Sequence, residues 1–295
     1  MATYSIKDLE RLINIKAHTI RMWEKRYSIV DPDRSKTNIR HYTDDDLKRL
    51  LNISILNRHG LKISKIACLS NEELNQKVIH AVVPGSDYLS QIESLVVAMI
   101  ELNEQGFERI LSQNILKIGF EATLYHVIYP FFERIGLLWQ TGTVSPAQEH
   151  FISNLIRMKL CVAIDSLPVV QNPHAKRIIL FLPEWELHEI GLLTYYYIAR
   201  LHGLKVFYLG QSVPANDLVN VARSVEPHVL ATYFVSAVSN EKLEKYILEL
   251  SSLFALNKLY ISGMQIHNIH FSLPPNINVI VSALQFKAML EAMLS

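Results

Sequence analysis

The residues best suited to chemistry lie in the run Pro183-Glu-Trp-Glu-Leu-His-Glu-Ile-Gly191. Histidine is a common metal ligand, and a carboxylate two residues away can orient its far ring nitrogen. Here Glu186 precedes His188 by two positions, and Gly191 follows where backbone can approach a bulky group closely. A second group is Trp139, followed after nine intervening residues by Glu149-His150, which joins a large aromatic face to a carboxylate–imidazole pair. A third group is cationic. His18, Thr19, Arg21, Lys25 and Arg26 share a short helical pattern, and an extended arm carries Arg34, Lys36 and Arg40 and ends at Tyr42. Arginine and lysine on such a helix reach guanine edges or phosphates in the major groove, and the arm suits a wing over the backbone. The two cysteines, Cys68 and Cys161, are far apart and outside any CxxC, which argues against a disulfide framework or a structural zinc site.

Three kinds of element must position these groups. Near the amino terminus, residues 4–13 read as a helix with Ser5 as cap, Asn14 and Ile15 as a turn, and residues 16–27 as a second helix with Ile20 and Trp23 inward. Thr43-Asp-Asp-Asp46 opens a third helix with a cap and first-turn acids. Ser70-Asn-Glu-Glu73 starts a connector that ends at the break Pro84-Gly85-Ser86. From about Asp87 to Leu167, apolar residues recur at three and four spacing, with breaks near Gly106, Pro130 and Thr141-Gly142-Thr143. That predicts a bundle of about four helices. After Pro173 the period changes. Short apolar runs at 177–182, 206–209, 229–234, 259–261 and 279–281 alternate with helical stretches at 191–201, 215–224 and 241–254. This alternation predicts a parallel sheet with right-handed crossovers, whose ligands bind at the carboxyl ends of the strands.

The expected fold is therefore multidomain. A winged helix-turn-helix spans 1–70, a linker 71–86, a four-helix-bundle cap 87–172, and a flavodoxin-like (Rossmann-like) α/β domain 173–295. Charge agrees with a polyanion-facing head. Residues 1–80 hold 15 Lys and Arg against 10 Asp and Glu, and the rest hold 14 against 18. No apolar run reaches the roughly 18–20 residues of a membrane helix, and the start lacks a signal-peptide core, so a cytoplasmic protein is expected.

Three resemblances sharpen this reading. Ile20-Arg-Met-Trp-Glu-Lys-Arg-Tyr27 with Arg40-His-Tyr-Thr-Asp-Asp-Asp-Leu47 resembles the MerR-type DNA-binding domain, which implies a dimer on a palindromic double-stranded promoter operator. Glu186-x-His188-x-x-Gly191 resembles the D/E-x-H-x-x-G motif of cobalamin-binding domains, with Ser236-Ala-Val238 and Ser262-Gly263 at the places of two later motif elements. In those domains the histidine is the lower axial cobalt ligand, so the resemblance assigns that role to His188. The departures are Glu186 for Asp, Val238 for Leu, and Ser262 for a glycine where the cofactor's nucleotide tail threads. Trp139 with Glu149-His150 resembles the helical cap of the MerR-type cobalamin photoreceptors, the CarH and LitR group. There the tryptophan covers the upper face and the Glu-His pair contacts the adenosyl group. Gln140 departs from the histidine often found after that tryptophan.

The resemblances imply an adenosylcobalamin-dependent, light-responsive repressor, not an enzyme, acting as a dimer or tetramer without membrane attachment. One alternative is a regulator of the same architecture that no longer binds cobalamin and answers to a protein partner or another ligand. The other is a corrinoid protein of a methyltransferase system, against which the DNA-binding head argues.

Overall fold

The computed structural model describes residues 4–35, 38–81, 87–140 and 144–294, with the side chains at 79, 80, 137–140 and 268 outside the description. Lys36 and the loop expectations at Pro84-Gly85-Ser86 and Thr141-Gly142-Thr143 lie outside the described residues. The chain divides into two compact units, Met1–Asn154 and Leu155–Ser295.

In the first unit, α1 (Ile6–Ile13) begins at a capping box in which Ser5 and Asp8 satisfy each other's backbone N–H groups. Asn14 takes the left-handed conformation that turns the chain into α2 (Ala17–Tyr27). β1 (Asp33–Arg34) and β2 (Arg40–His41) pair antiparallel as the wing. A second capping box, Thr43 with Asp46, starts α3 (Asp44–Arg58). The short α4 (Ile63–Ile66) leads to α5 (Asn71–Ala81), which lies in the expected linker yet buries Leu74 and Val78. Asn52 and Arg49 of α3 bond Asn75 and Asn71 of α5.

The helices that follow are α6 (Tyr88–Ile100), α7 (Glu104–Thr123), α8 (Tyr129–Gln140) and α9 (Pro146–Asp165), and the boundary between the two units falls within α9. Ile92, Leu95, Val96 and Met99 make α6 the buried centre of this region. Two expected breaks differ. The one near Gly106 falls earlier, because Leu102 turns left-handed and Asn103 caps α7 through the Gly106 N–H. The one at Pro130 is absent. A π-helical turn, Leu124–Ile128, widens the hydrogen-bond ladder just upstream, where a proline ring would otherwise press on the preceding turn. The real kink is at Gly119, at φ 80°.

The second unit is built on a five-stranded, all-parallel sheet: β3 (Arg177–Pro183), β4 (Lys205–Val213), β5 (Val229–Tyr233), β6 (Lys258–Ser262) and β7 (Ile277–Val279). Their spatial order is β4-β3-β5-β6-β7. The helices α10 (Ile190–Leu201), α11 (Ala215–Val225), α12 (Asn240–Leu253) and α13 (Ala283–Leu294) alternate with the strands. Ile178 to Pro183 are all buried, as a strand covered on both faces requires. The last strand sits two residues earlier than the run at 279–281 suggested, and α13 was not anticipated. Strand order reverses between β3 and β5, so the loops after these two strands flank the topological switch point.

Candidate functional site

Glu186 and His188 occupy the loop after β3, and Ser236 the loop after β5, so all three meet at the switch point. Glu186 is fully buried. One carboxylate oxygen accepts from the backbone N–H of Leu187 (3.0 Å) and His188 (2.9 Å), from the His188 ring (2.7 Å) and from the Ser236 hydroxyl (2.8 Å). The other accepts from the N–H groups of Val235 and Ser236, each at 2.7 Å. Burial pushes this carboxyl up, but the hydrogen bonds from the His188 side chain and from the Ser236, His188 and Val235 amides outweigh it and hold the group at about 2. Glu186 is thus an anion that can only accept. The proton must then sit on His188 Nδ1, which leaves Nε2 as the basic, coordinating nitrogen. The His188 side chain is half exposed.

The donor set fits one class of metal group. Among the described residues, no cluster of three or more His, Cys, Asp or Glu could hold a bare ion. A single oriented imidazole suits a metal that brings its own equatorial ligands in a macrocycle. Exposed apolar side chains lie near the carboxyl ends of the strands, beside or beyond this loop: Leu187, Met264, Val281 and Leu284. Sequence reading missed these four. For Leu187 and Met264 the signal available was their position just past strand ends, since an isolated apolar residue there carries no periodicity.

The remaining motif positions are internal. A Cβ on Gly191 would lie 2.6 Å from the Tyr233 ring, so glycine here admits the protein's own aromatic. Gly263 has φ +105°, and a Cβ would meet the Phe234 carbonyl oxygen at 2.2 Å, so only glycine lets these two strand ends close up. Ser262 is buried. Its hydroxyl accepts from Tyr195 (2.8 Å) and donates to the Ile280 carbonyl (2.6 Å). Tyr195 also stacks on Phe286 and meets Tyr233 edge-on. Val238 packs against the core under the sheet. In the first unit, Glu149 and His150 sit in the first turn of α9 with His150 Nδ1 3.0 Å from Glu149, and Ser153 donates to the same carboxylate. Trp139 lies on α8, and its side chain and that of Gln140 are outside the description.

The nucleic-acid face is simpler. His18, Arg21, Lys25 and Arg26 are exposed on α2 while Ile20 and Trp23 face inward, and Thr19 is half-buried. Arg34 is exposed on the wing. Tyr42 differs from expectation: it is fully buried and its hydroxyl donates to Glu24 at 3.2 Å, so it is core rather than contact surface. Arg40 is half-buried, and its Nε is committed to Glu24 at 3.0 Å. Glu24, which sequence reading left without a role, also lies 3.7 Å from Arg34 and so ties α2 to both wing strands.

Comparison with known proteins matches family models to the head and to the helical region that follows it. Residues 4–73 match the MerR HTH family regulatory proteins, and residues 91–163 match the B12 binding domain. The chain pairs a MerR-type DNA-binding module with a B12-binding module. The HTH-type transcriptional repressor CarH of Myxococcus xanthus is 27% identical over 248 residues, covering 82% of each chain. CarA of the same organism is 28% identical over 243 residues, covering 81% of this chain and 79% of that protein. The regulator MlrA of Escherichia coli is 33% identical over 76 residues, 25% of this chain and 31% of that one. All three are transcription regulators rather than enzymes. The monomethylamine corrinoid protein of Methanosarcina barkeri shares the fold, with a TM-score of 0.52 at 14% identity over 74% of this chain and 99% of that one. No described helix is long and apolar enough to cross a membrane.

Two outcomes follow from this geometry. Because the Glu186 carboxyl is depressed from 4.5 to about 2, the stability it contributes is complete above about pH 4.5 and is lost as pH falls toward 2. Urea denaturation between pH 2.5 and 7 should show a slope in that window that Glu186→Gln flattens. Gly191→Ala should destabilise by about 1–3 kcal/mol through overpacking, and should cost markedly less in a Tyr233→Ala background than in the parent, read by denaturant midpoint.

Proposed function

We propose that this chain is a transcriptional repressor whose self-association and DNA binding are switched by light through adenosylcobalamin. The observation that carries the reading is the buried Glu186 holding the half-exposed His188 through its Nδ1 at the switch point. His188 would be the lower axial ligand, with Leu187 and Met264 against the macrocycle. Trp139, Glu149 and His150 would hold the upper face. Bound adenosylcobalamin would supply a cobalt–carbon bond that visible light breaks. Trp139 on α8 and the Glu149-His150 pair at the start of α9 would be the residues that respond to the state of that group. That response would weaken assembly of several heads on one operator, and affinity would fall steeply with no base contact altered. Arg21, Lys25 and Arg26 would read the major groove, and Arg34 and Lys36 would follow the phosphates, on a palindromic operator bound by a dimer or tetramer.

A second reading is favoured by one observation. Ser262, which stands where the corrinoid-binding pattern has a glycine beside the nucleotide tail, is buried and bonded to Tyr195, and Tyr233 closes against Gly191. A regulator of the same architecture that has given up cobalamin for another ligand or a protein partner would tolerate that closure.

Absorbance spectra separate the two. Full-length protein purified with adenosylcobalamin in the dark should carry a corrinoid spectrum with imidazole below the cobalt. Green light should alter it, together with the oligomeric mass. An unchanged spectrum and affinity in His188→Ala, or no bound corrinoid in the parent, would overturn the proposal. Arg21→Ala should weaken operator binding about tenfold or more in a mobility-shift assay and leave corrinoid uptake intact.

A further inference from the structure

The first unit contains a buried charge cluster that neither DNA reading nor corrinoid binding uses. Glu93 of α6 is fully buried. One of its oxygens is bound by the Arg58 guanidinium, at the last residue of α3, the long helix of the DNA-reading head. Its other oxygen has no hydrogen-bond partner. Arg134 of α8 lies close enough to act on the same carboxylate, and its own buried Nη2 also has no partner. Burial pushes the Glu93 carboxyl up to about 7 against the pull of both arginines. Two further contacts tie α3 to α6: His59 to Asp87 at 3.0 Å and Lys48 to Glu101 at 3.9 Å.

A buried carboxylate must be paired, and a buried guanidinium nitrogen without an acceptor is costly. Here both conditions are half met. One carboxylate stands between two cations on different elements, with an acceptor and a donor left over. Turning Glu93 from Arg58 to Arg134 exchanges one ion pair for another: it leaves Arg58, whose side chain is partly exposed, to water and supplies the acceptor that the buried Arg134 Nη2 lacks. The structural consequences of the two arrangements differ. The first adds an ion pair between the carboxyl end of the head's α3 and α6, and the second withdraws it and leaves that end held by the His59–Asp87 contact. Small helix displacements suffice to choose between such packed alternatives. The α8 helix carries both Arg134 and, five residues on, Trp139.

We propose that Glu93 couples the head to the sensing helices by exchanging between Arg58 and Arg134, so that a shift of α8 sets how firmly α3 is docked. This rests on reading residues 91–163 as the sensing module, but not on which ligand is sensed.

The test is hydrogen exchange with mass spectrometry on the full chain without corrinoid, so its failure leaves corrinoid binding untouched. Arg58→Met should raise exchange in α3 about tenfold or more. Arg134→Met should leave α3 exchange unchanged or slower, because Glu93 then has only Arg58. In thermal unfolding, each single change should be partly offset by the remaining arginine, and the double change should lower Tm by more than the sum of the two. Unchanged α3 exchange in Arg58→Met, equal increases in both single variants, or strictly additive Tm losses would overturn the proposal. If Arg58→Met does not fold, Arg58→Lys decides by the same comparison. It keeps the charge without the two-pronged geometry, and should raise α3 exchange to a smaller extent.

Discussion

The second unit depends on one ion that water never reaches. An ionised carboxylate inside a protein is tolerated only when its lone pairs are filled, and Glu186 fills them from two loops that are adjacent only because strand order reverses between β3 and β5. The same bonds that make its burial possible dictate the tautomer of His188. Fold and ligand chemistry are therefore not separable here. A change that disorders the loop after β5 removes donors from Glu186, and the imidazole loses its orientation even though neither motif residue has been altered.

That economy explains what could be read from sequence. Glu186 and His188 are local in sequence, so their spacing was informative, as were the alternating strands and the helix caps at Ser5 and Thr43. Ser236 was found by its place after the third strand of the sheet. What escaped reading depends on contacts between distant segments. Gly191 reads as room for a ligand, but only the folded chain shows that Tyr233, 42 positions later, occupies that room. Ser262 reads as an awkward replacement for glycine, yet its hydroxyl completes a chain from Tyr195 to Ile280. Pro130 signals a break by its chemistry, and the π-turn that accommodates it has no sequence mark of comparable strength. Tyr42 shows the converse case: its position beside arginines suggested a contact with DNA, whereas its partner is Glu24.

The head shows the same dependence in miniature. α3 supplies its core through Leu47, Leu50, Leu51 and Ile55, and also offers Asn52 and Arg49 to α5. A helix that is core on one side and a docking face on another cannot move without disturbing both. This is why residues 71–81, expected as a connector, are packed structure, and why the head and the helices after it share one compact unit.

Glu24 has a consequence for how DNA is discriminated. Bonded to Arg40 and Tyr42 and close to Arg34, it clamps the reading helix to the wing at a set separation before any nucleic acid arrives. Little conformational entropy then remains to be lost on contact. A clamped pair also works as a caliper. In a head that contacts DNA through this helix and wing, it would reward duplexes whose groove width and phosphate spacing already match.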